Sequence, residues 1–486
     1  MSGDIPNLSA KKRVLILGGG FGGLYAALHL DKTIARDPDI EVTLVSRENF
    51  VLFTPMLPEV AAGDLDLTDI VSPLRQMLKH TNVLIADVES IDHVERRVTL
   101  AYDVNREQKI LSYDHLLLAL GSETSFFNLP GVEESALTMK SLSDAVILRN
   151  QALALLEMAS LVEDPVIRRT MLTFVVAGGG FAGVETVGAL NDFVREAVRY
   201  YPNVTEDDLR IVLVHPSAVI LPELGEDLGR FAQRKLAARG VEIRTETRVS
   251  GYSDQRVEFK NGETIATRTL VWTAGVTPHA VLHTLPFKKE KNRIVVDETL
   301  QVIGFPGVWA VGDCASVPDM KTDKAQPPTA QHALREGRVC AKNIVAVIRE
   351  RPTKLFSFTT LGRLAIIGRR TGVANILGLH VSGLVAWWLW RTIYLMKLPR
   401  FEKKLRVALG WTLDLFFPKD LAQHLTLHEI ERVQHRLEKA RQRPIISASR
   451  QVETASPEQQ LLRVADGNLR SDSQPRTGDK RPFRKS

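Results

Sequence analysis

The chain has 486 residues, of which 44% are hydrophobic and 25% are charged, and its formal net charge is +6. This length suffices for two or three domains, each with its own core, and the composition is that of an ordinary globular protein. Its two cysteines, Cys314 and Cys340, are too few for a disulfide scaffold, a cysteine-rich zinc site or a Cys-ligated iron–sulfur cluster. No metal site is predicted, and we expect neither a secretory signal nor a transit peptide, since the first ten residues contain an acid and no apolar core.

Two glycine-rich motifs each follow a short aliphatic strand and begin a helix. The first lies between a predicted strand at 14–17 and a helix at 24–30, the second between a strand at 172–177 and a helix at 184–190. In such units the first glycine makes a tight turn, the second admits a pyrophosphate and the third lets the helix pack on the strand. Two motifs in one chain predict two dinucleotides, with electrons passing between them. The motif residues are Gly18, Gly20, Phe21, Gly22 and Gly23, and then Gly178, Gly180, Phe181 and Gly183.

The segments between the motifs predict further parts of an α/β fold with two Rossmann-like dinucleotide-binding domains. After the first unit we expect a helix-prone stretch to His80, a strand at 82–88 and a hairpin over 97–111. Three more aliphatic strands end in small residues at the carboxyl edge of a parallel sheet, where ligands bind in such folds. A helix at 328–348 follows the last of these strands. The small-residue ends lie at Gly121, at Ala274 and Gly275, and at Asp313.

The chain changes character after residue 356, where four of the six tryptophans lie. Residues 376–390 are almost wholly apolar, but this run is shorter than the about 20 residues that a membrane span needs. Beyond it, Phe401, Leu405 and Leu409 fall on one helical face with Phe416, flanked by basic residues. This pattern is typical of amphipathic helices that lie in a membrane interface, and we expect lipid contact through residues 376–417. The alternative is a core helix followed by a solvated charged helix.

Several motifs together resemble the two-dinucleotide-binding-domain flavoproteins related to pyridine nucleotide-disulfide oxidoreductases, and among them the type II NADH:quinone oxidoreductases. The wider group is indicated by the two glycine motifs and by residues 119–122, 272–275 and 311–315. The type II enzymes are indicated by residues 52–55, 183–185 and 328–331, with the aromatic and basic C-terminal helices, and the resemblance covers residues 12–425. It implies that the first glycine motif binds FAD and the second NADH. It also implies that hydride passes from NADH to FAD and that two electrons then reach a membrane quinone without proton pumping.

The resemblance implies a role for each of several residues. Asp313 would bind the ribityl chain of FAD, the alternative being a loop cap, whereas Pro55 and Gly121 would lie near the flavin ring and the backbone of Val88 near the adenine. The implied FAD site consists of Gly18, Gly20, Phe21, Gly22, Gly23, Ser46, Arg47, Pro55, Val88, Gly121, Asp313, Ala330 and Gln331. The implied NADH site consists of Gly178, Gly180, Phe181, Gly183, Glu185, His215, Ala274 and Gly275.

Three residues are candidates for the chemistry. Glu185 matches a family glutamate near the nicotinamide and flavin, where it would handle protons; the alternative is that it caps the N-terminus of its helix. Gln331 matches a glutamine of the quinone pocket. Arg335 stands where the family often has a second glutamine, and it would either bind a quinone oxygen or hold Glu336 in place.

The acid that usually binds a ribose hydroxyl is missing from both units. Ser46, Arg47 and Glu48 stand at its position in the first unit, and His215 in the second. Without that carboxylate the 2′-phosphate of NADPH is not repelled, yet no arginine is adjacent to bind it. NADH is therefore expected, and NADPH is not excluded.

The predicted domains and setting follow from these assignments. We expect a peripheral membrane protein on the cytoplasmic face of the inner membrane, a homodimer by resemblance, and no nucleic-acid partner. The predicted domains are 1–125 (FAD-binding domain, first part), 126–170 (connecting segment), 171–290 (NAD(P)H-binding domain), 291–355 (FAD-binding domain, second part), 356–430 (C-terminal membrane-docking segment) and 431–486 (charged helix and disordered basic tail).

Three other functions remain open at this point. A sulfide:quinone oxidoreductase shares the architecture but needs redox cysteines at the flavin, and neither Cys314 nor Cys340 is suitably placed. A reductase of a soluble protein acceptor would not need the aromatic and basic C-terminal segment. A membrane-docked NADH-sensing flavoprotein would differ by slow reoxidation with every quinone.

Overall fold

The computed structural model describes residues 11–103, 105–322, 324–414 and 416–423, and the charged helix and tail predicted over 431–486 lie outside them. The helices are α1 (Phe21–Thr33), α2 (Leu57–Ala61), α3 (Leu74–Met77), α4 (Val132–Ser135), α5 (Leu142–Leu161), α6 (Pro165–Met171), α7 (Phe181–Ala197), α8 (Glu226–Ala237), α9 (Ala330–Ile348), α10 (Leu384–Lys397) and α11 (Phe401–Leu413).

The strands, in chain order, are β1 (Lys12–Leu17), β2 (Ile40–Ser46), β3 (Phe50–Leu52), β4 (Val71–Pro73), β5 (Asn82–Ile85), β6 (Asp87–Asp92), β7 (Arg97–Tyr102), β8 (Glu107–Ser112), β9 (His115–Leu118), β10 (Ser122–Thr124), β11 (Thr173–Ala177), β12 (Arg210–Val214), β13 (Val241–Arg244), β14 (Val249–Ser253), β15 (Arg256–Phe259), β16 (Thr264–Ala266), β17 (Thr269–Trp272), β18 (Val276–Pro278), β19 (Lys289–Glu290), β20 (Arg293–Val295), β21 (Val308–Ala310), β22 (Ala315–Ser316), β23 (Gly362–Ile366), β24 (Gly372–Ile376) and β25 (Leu379–Gly383).

The first large sheet is parallel and has the order β21-β9-β1-β2-β5. Its strands are continuous aliphatic runs because both faces are covered. Helices α1 and α9 pack so closely that a Cβ on Gly337 would lie 2.1 Å from the carbonyl oxygen of Gly22. This sheet draws β21 from residues that follow the whole second sheet, which is consistent with a domain built from two chain segments. The domain boundaries themselves stay predictions.

The second large sheet is also parallel, in the order β13-β12-β11-β17. Helix α7 follows β11 and extends beyond the predicted residue 190 to Ala197. The polar residues that follow Leu190 therefore continue the helix. Asn191 is only 1% exposed, and its amide donates to the carbonyl oxygen of Arg239, so a polar residue continues the buried face of the helix.

Two segments differ from the prediction, the first of them because glycine and proline interrupt it. The helix-prone stretch to His80 contains only α2 and α3, with β4 between them; α2 ends near Gly63, whose φ is +70°, and β4 ends at Pro73. The strand predicted over 82–88 ends at Ile85 and a new strand begins at Asp87. The hairpin predicted over 97–111 is confirmed by β7 and β8, which pair in antiparallel fashion.

The apolar run at 376–390 is not one helix. Gly378 and Gly383, with φ of +87° and +76°, separate β24, β25 and α10, so the run contributes an antiparallel strand and then a helix. Helix α11 ends at Leu413, which leaves Phe416 beyond the helix on which it was predicted. Among the helices of the described residues, none is long and apolar enough to cross a membrane.

Candidate active site

A cavity of about 2040 Å³ lies at the carboxyl ends of β1 and β9. The first glycine motif forms one wall, residues of α7 form a second, and α9 and α10 form a third. This volume exceeds the roughly 300–1,000 Å³ of an ordinary ligand pocket, and it is large enough for an extended dinucleotide together with a second ligand.

The cavity brings together most of the residues predicted for the FAD site. Of the residues predicted for the NADH site, only two line it; the others lie beside the second glycine turn. The predicted residues that line the cavity are Gly18, Gly20, Phe21, Gly22, Ser46, Arg47, Pro55, Gly121, Asp313, Ala330, Gln331, Arg335, Phe181 and Glu185. Those that do not line it are Gly23, Val88, Gly178, Gly180, Gly183, His215, Ala274 and Gly275.

The glycines of the first motif are required for two different reasons. A Cβ on Gly18, whose φ is +109°, would lie 2.2 Å from the carbonyl oxygen of Ala119, and one on Gly23 would lie 1.9 Å from that of Gly18. These two residues are therefore glycine because the turn and helix α1 pack closely, as predicted. A Cβ on Gly20 would meet no protein atom within 4 Å and would project into open space. The open cradle at Gly20 fits a bound pyrophosphate at the N-terminus of α1.

The second motif repeats this arrangement. A Cβ on Gly183 would lie 1.7 Å from the carbonyl oxygen of Gly178, whereas one on Gly180 would meet nothing within 4 Å. The N–H of Gly179 donates to Nδ1 of His215 over 3.1 Å. His215 is only 8% exposed, and burial lowers the pKa of its imidazole, so the ring is neutral at pH 7. His215 thus stabilises the second glycine turn through this hydrogen bond, and its neutral ring provides no positive charge for a 2′-phosphate.

Asp313 lies in a short helical turn at 312–314, immediately after β21. Its Oδ2 accepts a hydrogen bond from the hydroxyl of Ser122 over 2.8 Å, and Lys140 Nζ donates to the carbonyl oxygen and the hydroxyl of Ser122, each over 2.8 Å. Burial lowers the pKa of Lys140, although Asp313 opposes this effect. Lys140 also lines the cavity, and no sequence motif distinguished it from other surface lysines.

Glu185 lies in the second turn of α7, where it is half-buried and lines the cavity. Its Oε1 accepts hydrogen bonds from the backbone N–H of Ile366 over 3.2 Å and from Nε1 of Trp390 over 3.3 Å. The carboxylate therefore binds β23 and α10, and the capping alternative is wrong. Burial raises the pKa of Glu185 to about 8, against the two hydrogen bonds, and nearby Glu59 adds to the rise. A carboxyl with this pKa holds its proton at pH 7.

A second buried glutamate, Glu59, was missed from the sequence. It lies in α2 with 8% exposure, and its Oε2 accepts a hydrogen bond from Nε1 of Trp411 over 3.1 Å. Burial raises its pKa to about 7, while the guanidinium of Arg391 opposes the rise. No local pattern identifies Glu59, because Trp411 lies in α11, 352 residues away.

The residues predicted for the quinone pocket lie on the first turns of α9. Gln331 Nε2 donates to the carbonyl oxygen of Gly362 over 3.2 Å. The guanidinium of Arg335 lies 4.0 Å from the ring centre of Phe358, and its Nη1 donates to the carbonyl oxygen of Gln331 over 2.7 Å. Glu336 instead accepts the N–H of Gly312, so the alternative that Arg335 holds Glu336 in place is wrong.

Four aromatic residues connect the glycine turn to the C-terminal helices. The ring centres of Phe21 and Phe53 lie 5.9 Å apart, those of Phe53 and Tyr394 6.0 Å apart, and those of Tyr394 and Trp390 4.5 Å apart. Phe21, Phe53 and Tyr394 line the cavity, so this aromatic wall gives it an apolar side next to the expected flavin.

The two cysteines are buried, unlinked and absent from the cavity wall. The Sγ of Cys314 donates to the carbonyl oxygen of Val311 over 3.3 Å, and burial raises the pKa of its thiol to about 12. Neither thiol is available as a thiolate for sulfur chemistry at the cavity, as expected from the sequence.

Comparison with known proteins agrees with this geometry. Residues 12–337 match the family of pyridine nucleotide-disulphide oxidoreductases, and residues 361–420 match the NDH2 C-terminal domain. The solved structure of NDH2 from Plasmodium falciparum in complex with NADH is similar, with a TM-score of 0.78 at 20% identity, covering 85% of this chain and all of that one. A sulfide:quinone oxidoreductase from Aquifex aeolicus is also similar in fold, with a TM-score of 0.60 at 18% identity.

Curated relatives are similar over most of their length. A probable NADH dehydrogenase from Dictyostelium discoideum is 32% identical over 85% of this chain and 91% of its own. The type II NADH:quinone oxidoreductase NdhA from Mycobacterium tuberculosis is 30% identical over 84% of this chain and 88% of its own. This chain therefore belongs to the type II NADH:quinone oxidoreductases, which use FAD and NADH.

Proposed function

We propose that this chain oxidises NADH and passes two electrons through FAD to a membrane quinone. One observation supports the proposal above the others. A single cavity is lined by the first glycine motif, by Glu185 of the second motif's helix and by Gln331 of α9, so the expected sites of all three ligands meet. Bound FAD supplies the two-electron chemistry, and the protein supplies binding, orientation and proton positions.

The open cradles at Gly20 and Gly180 would hold the two pyrophosphates, each at a helix N-terminus. Asp313, held by Ser122, would orient the ribityl chain. Because both hydrogen bonds to Glu185 fall on Oε1, its Oε2 is the atom that would carry the proton for the quinone. Gln331 and Arg335 would border the quinone head group.

The quinone would enter beside the link between α10 and α11. Met396 and Lys397 line the cavity there, and Met396 is 70% exposed. The neighbouring face of α11 presents Phe401, Leu405 and Leu409, which are 80%, 63% and 57% exposed. An apolar face with cationic neighbours suits an anionic lipid surface, so we propose that residues 376–417 dock there.

The function is tested by anaerobic stopped-flow spectroscopy of the purified holoenzyme. We expect NADH to bleach the flavin band and a short-chain quinone to restore it rapidly. Rapid bleaching with slow reoxidation by every quinone would overturn the proposal in favour of another acceptor or a sensor. NADPH is tested in the same bleaching step; the neutral His215 leads us to expect slower bleaching than with NADH.

The docking surface is tested separately with vesicles containing phosphatidylglycerol. Phe401→Ser and Leu405→Ser should weaken vesicle binding while short-chain quinone turnover is retained. Leu161→Ser is the matched control, because Leu161 is 85% exposed at the end of α5, outside the proposed surface. Equal binding by all variants would contradict the proposal. Resemblance alone supports a homodimer and the cytoplasmic face of the inner membrane; sedimentation analysis and protease accessibility in sided vesicles test these two points.

A further inference from the structure

A second, smaller cavity lies behind Glu185. It has a volume of about 60 Å³, and Pro55, Pro58 and Glu185 line both it and the large cavity. Glu59 also lines it, as do Arg369 and Arg370, which are exposed. The small cavity therefore brings Glu185 and Glu59 together with residues exposed at the protein surface.

Its polar walls indicate that this cavity holds water. Arg391 and Asp414 line it, and Nε of the first and Oδ2 of the second are buried without a hydrogen-bond partner among the described residues. Buried polar atoms are almost always hydrogen-bonded to protein or to ordered water. The volume exceeds the about 10–15 Å³ that one water molecule needs. Water bound to these two atoms would satisfy both of them and place a proton-conducting group in the same cavity as Glu59.

Burial adjusts Glu59 to exchange a proton at neutral pH. Glu59 faces Arg391, Lys419, Asp64 and the indole of Trp411. Burial dominates and raises its pKa to about 7, so it both gains and loses a proton near pH 7.

Glu185 faces Glu59, the indole of Trp390, the backbone N–H of Ile366 and Tyr394. Burial raises its pKa to about 8, so an ionised Glu185 readily takes up a proton at neutral pH.

The proposed reaction requires a proton from outside. Oxidation of NADH to NAD⁺ releases two electrons and one proton as a hydride. Reduction of a quinone to a quinol consumes two electrons and two protons. One proton in each turnover must therefore enter from solvent, and Glu185 must be reprotonated after each donation.

We propose that Glu59 is a proton-relay residue that passes this proton from solvent to Glu185 through the small cavity. Asp414, Arg391, Glu59 and Glu185 all line this cavity, and Glu185 also lines the large one, where the quinone would bind. Glu59 acts through Glu185 and does not touch the quinone. The inference rests on the proposed function, since it concerns the proton consumed in that reaction.

The structural alternative is a clamp, in which Glu59 serves only to hold Trp411 and hence α11 in place. Glu59→Gln separates the two roles, because a glutamine oxygen still accepts from the indole but carries no proton. The relay predicts that the quinone step slows on the order of a hundredfold, the lower end of general acid–base effects. Flavin bleaching by NADH should be retained. Acetate or formate at millimolar concentration should restore part of the lost rate, and Glu59→Asp should lose less than Glu59→Gln.

Two further variants keep the test decisive if Glu59→Gln folds poorly. Asp414→Asn should also slow the quinone step and respond to acetate. Trp411→Phe removes the hydrogen bond but keeps the carboxyl, and the relay predicts a smaller loss than in Glu59→Gln. An unchanged rate in Glu59→Gln, or a loss that Trp411→Phe reproduces and acetate does not restore, would overturn the relay. Failure of the wild-type flavin to be reoxidised by any quinone would overturn the proposed function instead, and so the two failures are distinguishable.

Discussion

Glu336 accepts a hydrogen bond from the backbone N–H of Gly312 over 2.7 Å, directly behind the turn that carries Asp313. Glu336 is 2% exposed, and its position on α9 fixes the orientation of that turn relative to the first sheet. Asp313, which is expected beside the ribityl chain, is thus positioned by Glu336, which does not line the cavity.

This buried carboxyl predicts a specific dependence of stability on pH. Burial raises the pKa of Glu336 from 4.5 to about 7 in the folded chain. The folded chain therefore binds this proton more tightly than the unfolded chain, and the contribution of Glu336 to stability falls as pH rises from about 4.5 to about 7. Glu336→Gln keeps an acceptor for Gly312 and removes this loss. We expect a higher Tm than wild type at pH 8 and a similar Tm at pH 4.5, measured by scanning calorimetry; a lower Tm at both pH values would contradict this account.

The two open glycine cradles predict a clean separation of the two dinucleotides. Because a Cβ at Gly20 or Gly180 would meet no protein atom, alanine at either position should leave the fold intact. Gly20→Ala should lower the FAD content of the purified protein. Gly180→Ala should raise the KM for NADH at normal FAD content. Absorbance ratios and steady-state kinetics measure both effects, and equal FAD loss in the two variants would refute the separation.

Glu185→Gln predicts a defect confined to the quinone step. The amide oxygen still accepts from Ile366 and Trp390, but no proton is available for the quinone. We expect flavin reoxidation to slow on the order of a hundredfold, with bleaching by NADH retained. In wild type the reoxidation rate should fall above about pH 8 as Glu185 ionises, and this fall should vanish in the variant. Glu95→Gln, at an exposed position, is the control; an unaltered pH profile in Glu185→Gln would exclude Glu185 as the donor.

His215 predicts a local stability effect at the second glycine turn. His215→Ala removes the acceptor of the buried Gly179 N–H, which should lower the free energy of unfolding by about 1–3 kcal/mol and raise the KM for NADH. His215→Asn offers an oxygen near the position of Nδ1 and should recover most of both losses. Denaturant titration and NADH kinetics measure these effects. Identical behaviour of the two variants would show that the hydrogen bond contributes little.

The sequence was sufficient wherever the decisive contacts are local. Gly18 and Gly23 are five residues apart, and the strand–turn–helix around them has its own signal in the chain. The same holds for Asp313, which directly follows an aliphatic strand. Gly378 and Gly383 are also a local signal, since glycine interrupts regular structure. The hydrophobicity of the run at 376–390 nevertheless led to its prediction as one apolar segment.

Contacts between distant residues were not predictable in this way. Glu59 and Trp411 meet across 352 residues, and Lys140 reaches Asp313 through Ser122, 191 residues from that aspartate. Whether a glutamate is buried depends on which helices and strands pack over it. Local sequence patterns do not reveal this tertiary packing. The functional importance of Glu59 therefore emerges only from the packing of α11 on α2.

The indoles of Trp390 and Trp411 each donate to a buried glutamate, and α10 and α11 also carry the exposed apolar face. One pair of helices thus carries both the proposed membrane-docking face and the indoles that hold Glu185 and Glu59, and α10 also lines the large cavity. Truncating the chain before residue 384 to obtain a detergent-free enzyme for inhibitor screening would open that cavity to water. Exchanging outward side chains such as Phe401 and Leu405 for polar ones would keep the wall, and this is the route by which a soluble, active form should be engineered.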